Sequence, residues 1–203
     1  MSYKNYDKII FVHIPRTGGN SIRESIGRDL DINNFFFDHK PVSFHNPTKN
    51  SFTFSFVRNP YDIVRSFYDY TFHALNHRSM RKYSFKEWIR SDFDCHWRYQ
   101  DGYPNNPIDQ SSYILNDRNE ILVDFLGRHE NLSADFNKVV ALLGLKRRRI
   151  QYWSGNDRGF SKIYDIFKRY NRKGFVDYYD EESIKMVNDK LSRDFEVFGY
   201  KKL

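Results

Sequence analysis

Apolar residues cluster along this chain in short runs separated by polar turns. Ile9-Ile10-Phe11-Val12-His13-Ile14 is nearly unbroken, the pattern of a strand buried on both faces. Pro15-Arg16-Thr17-Gly18-Gly19-Asn20 interrupts it, and Ile22, Ile26 and Leu30 then recur every four residues, which predicts a helix with one apolar face. Residues 31–50 carry Asn33-Asn34, two prolines and two histidines and read as loop. Phe52 to Val57 is a second strand. Asn59-Pro60 opens a helix, because Asn caps well and Pro is tolerated at the first helical position, and Ile63, Phe67 and Tyr70 form its inner face. Ser84 and Glu87 make a capping box for a short helix over Phe85 to Ile89. Residues 92–112, with Gly102, Pro104 and Pro107, read as irregular, and Ile121 to Phe125 as a third buried strand. Ser133 caps a helix that carries Phe136, Val139, Val140 and Leu143 and stops at Gly144. A last helix starts near Asp180 with Ile184, Val187 and Leu191 inward. Strands alternating with helices, without repeats or low-complexity linkers, predict an α/β fold with a largely parallel sheet.

Composition adds a class of partner. The 203 residues suit a single domain, and an aromatic content of 18% marks a folded chain, since disordered ones are aromatic-poor. A net charge of +7 favours anionic partners: nucleotides, nucleic acid, sulfated or carboxylated sugars, or acidic membrane surfaces. Cys95 is the one cysteine, so no intrachain disulfide forms. The run from Ile9 to Ile14 is too short for a signal h-region or a membrane span, and a cytoplasmic location with no membrane segment is expected.

Two sites for anions stand out. His13 to Ser21 lies between a buried strand and a helix, where α/β sheets bind ligands and helix N–H groups meet phosphate. Gly18 and Gly19 allow close backbone approach, Thr17 and Ser21 add hydroxyls, Asn20 adds an amide, and Arg16 adds charge. The pattern is not a Walker A loop, because the cation precedes the glycines and no Lys-Ser/Thr follows them. The second site is Arg58-Asn59-Pro60-Tyr61 through Ser66: an arginine at a strand end, able to fork a phosphate, and a serine about two helical turns on.

The paired motifs resemble those of the 3'-phosphoadenosine-5'-phosphosulfate (PAPS)-dependent sulfotransferases. The likeness is strongest to the carbohydrate branch related to heparan sulfate 2-O-sulfotransferases and its small bacterial relatives. It continues through Ser112-Tyr113-Ile114-Leu115, Val123 to Leu132 and Asp194 to Tyr200, and it is weakest over 70–105 and 146–175. The resemblance implies a single domain over 1–203 with a P-loop-like, largely parallel sheet flanked by helices. It implies that Arg16, Thr17, Gly18, Gly19, Asn20 and Ser21 hold the 5'-phosphosulfate and that Arg58 and Ser66 hold the 3'-phosphate. Asn171-Arg172-Lys173-Gly174 resembles the Arg-Lys-Gly loop that covers the 3'-phosphate in cytosolic members, which gives Arg172 and Lys173 a donor contact. Many members carry Lys where Arg16 stands; a planar fork replaces a compact point charge there.

Sulfuryl transfer implies an in-line displacement, with PAPS as donor and no metal required. The acceptor hydroxyl needs a base near neutral pH, which suits histidine. Of seven histidines, His39 lies where the related carbohydrate enzymes place their base; His45 is second, and Glu130 is an alternative. His13 and His129 read as structural, and Arg16 as the catalytic cation. The acceptor is expected to be a small molecule or oligosaccharide, a carbohydrate by resemblance. Trp88, Trp97 and Tyr99 are residues that stack on sugars or fill a core, and Arg78, Arg81 and Lys82 suit acidic groups. A P-loop kinase is disfavoured by the missing Gly-Lys-Ser/Thr. A nucleic-acid-binding protein, suggested by Arg147 to Arg149, is disfavoured by the lack of a recognised binding signature. A catalytically silent nucleotide-binding relative differs only in turnover.

Overall fold

A computed structural model describes residues 6–27, 29–31, 33–74, 83–94, 108–146, 149–150 and 174–203. The chain forms two compact units, one of Met1–Arg58 with Asp101–Trp153 and one of Asn59–Gln100 with Ser154–Leu203.

The first unit holds a four-stranded, all-parallel sheet in the order β2-β1-β3-β4. β1 is Lys8–Val12, β2 Phe35–Asp38, β3 Ser51–Val57 and β4 Phe125–Arg128. Its helices are α1 (Gly19–Ile26), the short α4 (Ser111–Ile114) and α5 (Leu132–Leu142). One face of the sheet presents Ile9, Phe11, Phe52, Phe54 and Phe56 to a core completed by Ile22 and Ile26 of α1 and by Phe136, Val139 and Val140 of α5. Ile10 and Val12, on the opposite face, are equally buried, which is why β1 reads as an unbroken apolar run.

Four local readings need correction. Residues 31–50 are not all loop, because Phe35–Asp38 forms the edge strand β2, paired with Ile9–Val12. The fourth strand begins at Phe125, not Ile121. Asp124 ends the ladder: its carboxylate accepts from Thr53 N–H at 2.7 Å and from Thr53 Oγ1 at 2.8 Å. Upstream, Ile121 makes an isolated antiparallel bridge with Leu115, and Ile121 and Leu122 remain 45% and 39% exposed. Ser133 lies inside α5, whose N-cap is Asn131 after a 3₁₀ turn at His129–Asn131. Leu30 lies past the end of α1 but still enters the same core.

The second unit is helical over its described residues. α2 (Pro60–Tyr68) starts as expected, with the Asn59 side chain accepting from Tyr61 N–H, and continues into a π-turn at Asp69–Ala74. α3 (Phe85–Arg90) has both bonds of the Ser84–Glu87 capping box. Asp180 caps α6 (Glu181–Lys190), and α7 (Ser192–Phe198) ends at Gly199 in the left-handed region. Arg65 pairs with Asp62 and with buried Asp69. Trp88 is fully buried, donates Nε1–H to the Asp94 carbonyl at 2.8 Å and packs on Tyr68 and Phe93; it is core, not a sugar platform. Among the described residues no helix is long and apolar enough to cross a membrane.

Candidate active site

All four strands of the first unit are parallel, so their carboxyl ends share one edge of the sheet. The residues that follow those ends are His13 to Gly18 after β1, His39 after β2, Arg58 after β3 and His129 with Glu130 after β4. In an open parallel sheet this is the edge where ligands bind.

The loop after β1 is held from within. Thr17 Oγ1–H donates to the Ile14 carbonyl at 2.8 Å, which closes the turn. Arg16 and Gly18 both have positive φ, 69° and 92°. Gly18 is the N-cap of α1, so no side-chain oxygen competes for the first helical N–H groups, which leaves an anion-seeking helix start. A methyl at Gly19 would lie 1.9 Å from His13 Cδ2, and one at Gly18 2.8 Å from Leu132 Cδ2. Only glycine lets the helix start approach these side chains so closely. Arg16 and Asn20 are half-buried and Ser21 is buried.

Arg58 reaches this loop. Its Nη1–H donates to the Arg16 carbonyl at 2.9 Å, so the cation after β3 is tied to the loop after β1. Ser66, in the second unit, is buried on α2. Arg172, Lys173, Arg78, Arg81, Lys82, Trp97, Tyr99, Arg147 and Arg148 lie outside the described residues.

The His13 and His39 rings pack against each other, tilted by 39° with centroids 4.2 Å apart. The His39 Nδ1 lies 2.6 Å from the His13 carbonyl; a carbonyl only accepts, so Nδ1 carries the proton and the lone pair of the neutral ring is on Nε2. Burial pulls the His39 pKa down, against the opposing pull of that hydrogen bond and of the Asp38 carboxylate. His13 is lowered further, chiefly by burial and then by electrostatic interaction with the His39 ring and with the positive charges of Arg23 and Arg16. Its Nδ1 is buried with no hydrogen-bond partner among the described residues, which suits a ring kept neutral as packing. His45 is anchored differently: its Nε2–H donates to Asp38 Oδ1 at 2.9 Å. Burial raises the Asp38 pKa, but the bonds from His45 and from Lys40 N–H outweigh it and hold the carboxyl below its usual range. Among the described residues no cluster of three or more His, Cys, Asp or Glu is arranged to hold a metal.

One residue of this edge was not singled out in the sequence. Gln110 is fully buried and bonds to both main-chain groups of Arg58. A glutamine in an irregular stretch carries no periodic signal that would reveal this.

A family model described as the sulfotransferase family matches residues 2–201, nearly the whole chain. A comparison with curated proteins found no match.

Proposed function

The chain belongs to the sulfotransferase family, and from that premise we propose that it transfers a sulfuryl group from PAPS to a hydroxyl of a carbohydrate acceptor. The observation that carries this reading is the β1–α1 loop: a glycine-capped helix start at the carboxyl edge of a parallel sheet, with Arg16 in the loop and Arg58 bonded to it. Helix N–H groups and two arginines suit the phosphosulfate end and the 3'-phosphate of such a donor. Ser66, Arg172 and Lys173 join the 3'-phosphate contacts on the strength of the sequence motifs alone.

In the proposed reaction the acceptor oxygen attacks sulfur in line as the bond from sulfur to the 5'-phosphate oxygen breaks. The acceptor proton passes to His39 Nε2. Three features favour His39: its Nδ1–H is committed to the His13 carbonyl, burial pulls its pKa down and so favours the neutral ring, and it follows β2 at the ligand edge. His45 supports Asp38 beside it. Arg16 and the loop N–H groups stabilise charge on the leaving bisphosphate. Arginine does not titrate in the working range, so Arg16 acts as a fixed charge and not as a proton donor.

Incubation with PAPS labelled in the sulfuryl group, against a panel of saccharide and phenolic hydroxyls, tests the reading. Label should move to a saccharide, in the presence of EDTA as well as without it, and no phosphate should move from ATP. Transfer from ATP that needs Mg²⁺ would favour the kinase alternative. Bisphosphate binding without transfer to any acceptor would favour a silent relative.

A further inference from the structure

The ladder between β3 and β4 ends one residue before Arg58. Val57 is the last residue of β3 paired with β4, opposite Arg128, and buried Arg58 follows. At Arg58 a side chain continues the ladder. Gln110 Oε1 accepts from Arg58 N–H at 2.7 Å, and Gln110 Nε2 donates to the Arg58 carbonyl at 2.8 Å. A primary amide offers a donor and an acceptor in one plane, the same pairing that a neighbouring strand's peptide groups would supply. Gln110 is itself fixed at the entry to α4. The adjoining Asp109 carboxylate accepts from the hydroxyls of Ser111 and Ser112, the latter at 2.6 Å.

The consequence travels outward through Arg58. Main-chain φ and ψ decide which rotamers a side chain can adopt. A main chain pinned on both its polar groups aims the guanidinium, and Nη1 then meets the Arg16 carbonyl. Arg16 is a non-glycine residue at φ 69°, a conformation that costs free energy and needs such a partner to persist.

We infer that Gln110 is a positioning residue of the donor site: by pinning the Arg58 main chain it aims the guanidinium that holds the β1–α1 loop in its phosphate-binding shape. The inference rests on the proposed donor reading. Gln110 touches no reacting atom; it acts through Arg58.

A double-mutant cycle tests this. Gln110→Leu withdraws both bonds at nearly constant volume, and Arg58→Ala removes the guanidinium. Calorimetric titration of 3'-phosphoadenosine-5'-phosphate into the full chain gives the affinity of each variant. Gln110→Leu should weaken binding about ten- to a hundredfold, the scale of lost buried hydrogen bonds. The double variant should bind no more weakly than Arg58→Ala alone, because Gln110 acts through that side chain. In ligand-free protein, amide exchange at residues 16–19 should quicken in Gln110→Leu. Wild-type affinity in Gln110→Leu, or losses that multiply in the double variant, overturns the inference. If Gln110→Leu does not fold, Gln110→Glu, which keeps the acceptor, runs the same cycle with the same two outcomes. A wild-type chain that ignores the bisphosphate overturns the donor reading instead, and the exchange measurement then decides alone whether Gln110 holds the loop.

Discussion

The proposed base, His39, must be neutral when its substrate arrives, and burial pulls its pKa in the direction that favours the neutral ring. His39→Ala should lower turnover by about 10²–10⁴, the usual cost of losing a positioned base, while bisphosphate affinity stays near normal. Steady-state rates beside calorimetry separate the two; a large loss of affinity would place His39 in the donor site instead. The same burial has a consequence for stability. His13 and His39 have folded-state pKa values below the ordinary value of about 6.5, so between the folded and unfolded values the unfolded chain binds more protons. Stability therefore rises with pH through that window. It is fully present above the ordinary value and is lost as pH falls below it. Urea denaturation at pH 7.5 and pH 5.5 should give the lower midpoint at pH 5.5, and His13→Phe should reduce the difference. Equal midpoints in the wild type would mean that neither ring is held neutral.

The long, unmixed apolar runs were legible at the level of elements. β1, β3 and α2 fall where their patterns put them, because both faces of each strand are buried and Asn59-Pro60 is a strong helix start. β2 was hidden because it has four residues, lies at the sheet edge and sits among turn-forming residues. β4 was misplaced because Ile121-Leu122-Val123 is the more apolar run, whereas the ladder is ended by the Asp124 carboxylate on Thr53, a tertiary bond with no local signal. β4 also contains Gly127, a poor strand residue. It is tolerated because any Cβ there would meet the Phe56 ring at 2.4 Å. The turn from β1 into α1 makes a prediction of the same kind. Gly19→Ala places a methyl against the His13 ring and should destabilise the fold by about 1–3 kcal/mol, the usual cost of overpacking. A smaller residue at position 13 should return much of that. Thermal denaturation of Gly19→Ala, His13→Ala and the pair is the check; additive losses would mean the helix start does not rest on His13.

Over the whole molecule, the sequence set two short candidate motifs into a regular strand and helix pattern, and the parallel sheet decides where strand ends fall. The four strands of the described residues end at the same edge, so residues that follow strands, such as Arg16, His39 and Arg58, come to that edge without any long-range signal. What joins them was not legible, because the Arg58 bond to the Arg16 carbonyl and the Gln110 amide on Arg58 depend on side-chain directions that no periodicity encodes. The net charge of +7 agrees with an anionic donor but does not choose one. The family match chooses sulfuryl transfer, and the central claim becomes that the chain recognises a nucleotide by its 5' and its 3' phosphates together. The most direct measurement is the melting temperature of the protein with 3'-phosphoadenosine-5'-phosphate and with AMP at equal concentration, since a ligand of the folded state stabilises it by an amount that grows with the logarithm of its concentration over its dissociation constant. The account predicts a much larger rise with the bisphosphate, and a rise that falls to the AMP level in Arg58→Ala. Equal rises from the two ligands in the wild-type protein would contradict it.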